Sequence, residues 1–196
     1  MPTARRVVVP WAVSVLALAA LSGCVPTPTP GPSDSAASPT PSASSSTSPP
    51  PSPTASPVST PITIGCNDLI TPDDIYAFNP NFGLINSWKA QPGSAAATAK
   101  SEQGIACRWS NQTSGDTIDV SVAHLDAASI EALKNETVQK STMVPTYGDE
   151  AYFSVTGGVG TAVVFQGDFW LVATSVDFLE PGDPSELITA ALAALK

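Results

Sequence analysis

The chain has 196 residues, 42% of them hydrophobic and 13% charged, with 20 prolines and a formal net charge of −9. That length allows one domain plus tails. The acidic balance disfavours partners that present dense phosphate, so nucleic acid and an electrostatic hold on anionic lipid head groups are not expected.

The first segment has the shape of an export signal. Arg5 and Arg6 stand before an apolar run from Val7 to Leu21 that is interrupted by Pro10. Its 15 residues fall short of the ~20 that a permanent membrane-spanning helix needs. The run ends in Leu21-Ser22-Gly23-Cys24, which reads as a lipobox. A thiol is required there because the diacylglyceryl group is carried on sulfur as a thioether. Small residues are required because a peptidase must reach the backbone beside it. Residues 1 to 23 are therefore expected to be removed and Cys24 to carry lipid, palmitate among its acyl chains. The protein would then be held on the extracytoplasmic face of the cell membrane. Each buried methylene contributes ~0.8 kcal/mol, so two chains anchor firmly where one is marginal. The mature chain keeps six bases against all seventeen acids, a net charge of −11.

Residues 25 to 61 contain 29 Pro, Ser and Thr in 37 positions, with Asp34 as the only charge. So little apolar surface cannot offset the entropy of ordering, and the expectation is a disordered tether kept extended by proline. Its composition would suit O-glycosylation.

Residues 62 to 196 read as one domain. Thr71 precedes Pro72-Asp73-Asp74, an N-cap, a proline at the first helical position and acids toward the positive helix end. Ile70 and Ile75 are spaced as a hydrophobic staple. Strands follow at Ile105 to Asn111 and Thr117 to Leu125, joined around Ser114-Gly115-Asp116. Asp126 opens a second helix running to about Lys140. Ala151 to Thr156, Gly160 to Phe165 and Phe169 to Phe178 are three further strands. The links between them, Gly157-Gly158 and Gln166-Gly167-Asp168, are too short for anything but antiparallel pairing. Asp183-Pro184-Ser185-Glu186 opens a last helix with Leu187, Ile188, Ala191, Leu192 and Leu195 as its stripe. The fold class expected is α+β, an antiparallel sheet of about five strands in the order α-β-β-α-β-β-β-α, with helices mainly on one face.

Once Cys24 carries lipid, Cys66 and Cys107 are the only cysteines left. Outside the cytoplasm such a pair is expected to oxidise. Three short motifs accompany them: Leu69-Ile70-Thr71-Pro72-Asp73-Asp74 after Cys66, Gly104-Ile105-Ala106-Cys107-Arg108-Trp109, and Gly148-Asp149-Glu150-Ala151-Tyr152-Phe153. With these the region from Cys66 resembles the small two-cysteine lipoproteins of actinobacteria (high-GC Gram-positive bacteria), a domain family of unknown function, and is similar to extracellular sensor domains. The resemblance implies an envelope-facing α+β domain with a Cys66–Cys107 bridge. It brings no catalytic residues.

Chemistry has few candidates. His124 is the sole histidine, and no Gly-x-Ser-x-Gly elbow accompanies it, so it reads as a residue at the rim of an apolar strand face. One histidine with committed cysteines does not make a zinc set, and no metal or cofactor is expected. Asp73-Asp74 and Asp149-Glu150 are paired acids, which keeps a carboxylate hydrolase as an alternative. Asp73 and Asp74 also suit a helix N-terminus, and Gly157-Gly158-Val159-Gly160 suits a hairpin better than a phosphate cradle. The remaining candidates are aromatic: Tyr76, Phe78, Phe82 and Trp88, around Asn79-Pro80-Asn81, form a possible binding surface if exposed. The functional expectation is a membrane-anchored, non-enzymatic binding or sensor-like module. Its partner would be an envelope protein, a cell-wall component or a small ligand. A small accessory solute-binding protein is the other alternative.

Overall fold

A computed structural model describes residues 59–196. The leader, the lipobox Leu21-Ser22-Gly23-Cys24 and the tether as far as residue 58 lie outside the described residues. Among the described residues hydrogen bonding begins two residues before the expected domain boundary, where the Thr60 N–H donates to the His124 carbonyl at 2.9 Å.

Twelve elements follow in chain order: α1 (Cys66–Leu69), α2 (Pro72–Phe78), β1 (Phe82–Leu84), α3 (Ala95–Ser101), β2 (Ile105–Asn111), β3 (Thr117–His124), α4 (Ala127–Thr137), β4 (Thr142–Met143), β5 (Glu150–Thr156), β6 (Val159–Gln166), β7 (Phe169–Ser175) and α5 (Ser185–Ala194). The class is α+β, as expected, with one open antiparallel sheet. It has seven strands, not about five, in the order β1-β2-β3-β7-β6-β5-β4. The additions, β1 and β4, are edge strands of three and two residues, too short to show alternation. Helices α1 and α3 were also not expected. In α3 the apolar positions are alanines, Ala96 and Ala99, with Ser94 as N-cap. Small side chains give no helical stripe in sequence, yet they let the helix backbone sit close to the sheet. Gly104 shows how close, since a Cβ there would strike the Val122 and Ala99 carbonyls.

Local signals fixed the other ends. Thr71 accepts the Asp74 N–H at 3.2 Å, while the Asp74 carboxylate accepts the Thr71 N–H at 3.0 Å, a closed capping box. Ile70 and Ile75 are both buried. Asp126 caps α4 by accepting the Ser129 N–H and hydroxyl at 3.0 and 2.9 Å, and those bonds lower its pKa. The helix stops at Thr137, short of Lys140. Asp183 behaves differently from its sequence reading. Its carboxylate accepts the Leu179 and Glu180 N–H groups at 2.7 and 2.8 Å, so it braces the preceding loop and leaves α5 to start after Pro184.

The helices divide between the faces, which corrects the expectation that they gather mainly on one. Against the first face lie α1, α2 and α5, burying Leu69, Ile75, Leu187 and Ile188 with Trp109, Val120, Val164, Leu171 and Phe178. Against the second lie α3 and α4, burying Ala99 and Ile130 with Tyr152, Val163, Phe165, Trp170 and Val172. The physical reason is in the central strands. Ala162 to Phe165 and Trp170 to Ala173 are buried at every position, and strands apolar on both sides need cover on both.

Candidate functional site

The Cys66–Cys107 disulfide, with its Cα atoms 5.6 Å apart, fastens α1 to β2 and borders a cleft of about 360 Å³. Asn67, Asp68, Asn86 and Lys100 supply its polar side chains, and Trp88, Leu84 and Ile85 its apolar ones. Trp88 is brought there by an extension of β1, where the Ile85 N–H donates to the Arg108 carbonyl at 2.8 Å. The Arg108 guanidinium then lies over the indole, 4.2 Å from the ring centroid, and Lys100 from the last turn of α3 lies 5.4 Å away. Cations over an aromatic face are held by its quadrupole. Arg108 is also gripped by Asp119 through two hydrogen bonds of 2.6 Å, and that hydrogen bonding, opposed by partial burial, raises its pKa. The guanidinium is thus fixed from two sides, a rigid support for Trp88.

The four aromatics proposed as one surface separate. Tyr76 is 69% exposed on the outer side of α2, whereas Phe82 is only 6% exposed. Phe78 packs on the first core, with its ring 6.0 Å from Phe82 and 6.2 Å from Phe178. Phe78 and Phe82 are therefore core residues, because the turn at Asn79 to Asn81 folds both toward the same apolar cluster. Trp88 alone joins the cleft.

The other candidates sit in structural roles. Glu150 accepts the Tyr152 hydroxyl at 2.6 Å and pairs with Lys134 at 3.1 Å; these contacts, the tyrosine bond foremost, lower its pKa. Asp149 accepts the Gly167 N–H at 2.9 Å and the Gln166 side-chain amide at 3.0 Å. Asp74 is in the capping box. Gly157 and Gly158 both have positive φ, 60° and 81°, the two-residue turn of a hairpin. His124 stands at the end of β3 with its ring 4.7 Å from Phe169. Its Nδ1 is buried without a hydrogen-bond partner among the described residues.

A second depression, about 390 Å³, lies between α3 and α4 on the second sheet face. Trp170, Val163 and Val172 floor it, with Thr98, Thr137, Ser154 and Thr161 among its walls. Sequence reasoning passed over these hydroxyl residues. The Arg108–Asp119 pair was within its reach, because the hairpin turn at Ser114-Gly115 sets the register that opposes them.

No family model, curated protein or solved structure matches this chain.

Proposed function

We propose that the protein is an exported lipoprotein, anchored through Cys24, whose domain binds a component of the cell envelope at the cleft beside Trp88. The observation that carries the export half is the Cys66–Cys107 bond, since disulfides persist outside the reducing cytoplasm. It agrees with the lipobox and with the resemblance to small two-cysteine lipoproteins. The binding half is supported by the cleft itself, a half-buried indole braced by Arg108 among convergent polar side chains, the composition of a ligand site. In this reading the tether carries the domain away from the membrane, and the bridge holds the cleft's two walls together.

Expression of the full chain and of Cys24→Ala, followed by detergent phase partitioning and mass spectrometry of the mature N-terminus, tests the anchor. The native protein is expected in the detergent phase with a diacylated cysteine first, and the variant in the aqueous phase or as uncleaved precursor. Equal partitioning of the two proteins, or an unmodified native N-terminus, would refute it.

A further inference from the structure

The second face of the sheet is covered by α3 and α4 only in part among the described residues, and beyond them it presents a polar row with the exposed Val159 and Val176 at its outer margin. At one register across five strands, Ser154 opposes Thr161, Thr161 opposes Thr174, Thr174 opposes Asp119, and Asp119 opposes Arg108. Directly opposed residues project to the same face. All five are half-buried, and they stand two residues along their strands from Tyr152, Val163, Val172, Ser121 and Ala106. The result is a continuous row of three hydroxyls, a carboxylate and a guanidinium, ~19 Å long at the spacing of neighbouring strands. Trp88 closes one end over Arg108, and the depression between α3 and α4 opens onto the other at Ser154 and Thr161.

Charge narrows what such a row can take. The domain is acidic, yet the charges of the row neutralise one another in the Arg108–Asp119 pair. Those on the wall of the depression do the same in the Lys140–Glu136 pair, at 2.6 Å. Lys100, outside these pairs, stands beside Trp88 at the end of the row. A strongly ionic ligand lying along the row would have to break the pairs. An uncharged chain of hydroxyl-bearing rings would not. Its hydroxyls can both donate to and accept from Ser and Thr hydroxyls, and its apolar C–H face suits the indole edge of the row.

We propose that this row is a saccharide-binding face. It takes an uncharged oligosaccharide laid across β5, β6, β7, β3 and β2, with a terminal ring against Trp88. The proposal deepens the binding reading above by naming the ligand class, and it rests on that reading only at Trp88.

The test uses the full chain in detergent micelles, with saturation-transfer NMR and calorimetry. The probes are chitotetraose, cellotetraose and, as the peptide arm, tetra-alanine. Thr161→Val and Thr174→Val keep a β-branched residue in each strand and remove one hydroxyl. Trp88→Ala removes the ring, and Glu186→Gln, exposed on α5 against the opposite face, serves as a distant control. Binding of at least one tetrasaccharide is expected, weakened about three- to tenfold by each Thr→Val change, the size of one lost hydrogen bond. Trp88→Ala should weaken it further, and Glu186→Gln should leave it unchanged. Two results overturn the proposal: no saturation transfer to either tetrasaccharide at millimolar concentration, or affinity indifferent to Thr161→Val and Thr174→Val. Trp88-dependent binding of tetra-alanine alone would sink the saccharide class and leave the anchored binding module standing.

Discussion

Replacing both Cys66 and Cys107 by alanine isolates the contribution of the bridge. The two residues are 41 positions apart, and in the chain-entropy model a loop of that size restricts the unfolded chain by about 13 cal/mol/K, or about 4 kcal/mol at 25 °C. Unfolding residues 59–196 should carry an entropy of roughly 290 cal/mol/K at ~2.1 cal/mol/K per residue. Dividing the first by the second gives a fall in Tm of about 14 °C. Cys107 is buried and Cys66 packs against the same core, so the lost sulfur atoms add a small cavity cost in the same direction. Calorimetry of the oxidised protein and the double variant, under identical non-reducing conditions, measures the difference. A fall of less than about 4 °C would show that the loop is already restrained in the unfolded chain, and the entropic reasoning would fail.

Three further outcomes follow from particular contacts. Gly160→Ala drives a Cβ into the Phe178 carbonyl and should cost about 3 kcal/mol, the upper part of the overpacking range. Gly182→Ala, which meets nothing, should melt close to the native protein, and similar denaturant midpoints for the two would refute the clash. Thr71→Ala opens the capping box of α2 and should cost about 1 kcal/mol, with Thr71→Ser restoring most of it; urea unfolding of the three proteins decides this. Tyr152, through its hydrogen bond to Glu150 and its burial, and Tyr147, through burial alone, are both pushed up to about 12. A phenol whose pKa rises on folding stabilises the fold below its unfolded value of about 10 and loses that contribution as pH climbs toward 12. Tyr147 and Tyr152 should therefore ionise only in that window, together with loss of near-ultraviolet dichroism. Ionisation of these two near pH 10 with the fold intact would contradict the assignment.

Much of the fold was legible where hydrogen bonds are local. The strand Ile105 to Asn111 has its expected bounds, and the N-caps Thr71 and Asp126 act as their sequence neighbourhoods imply. The turn at Gly157-Gly158 does as well. Even the division of the helices had a trace in sequence, since Ala162 to Phe165 and Trp170 to Ala173 do not alternate. Elsewhere the signal was absent. The stripe of α3 is made of alanines, and the edge strands are shorter than one period of alternation.

What the sequence determined by itself is therefore the set of elements with strong ends and the pairing of strands joined by tight turns. The tertiary structure decided which side chains meet. Phe78 and Phe82 left the candidate surface because the first core needed their area, while Trp88 stayed because Arg108 offered a cation to stack on. The row from Ser154 to Arg108 exists only because β3 pairs with β7, strands separated by α4, β4, β5 and β6. Caps and turns are satisfied within a few residues, so they can be read along the chain. Register between distant strands is set by burying two faces at once, and that is decided only when the whole sheet has formed.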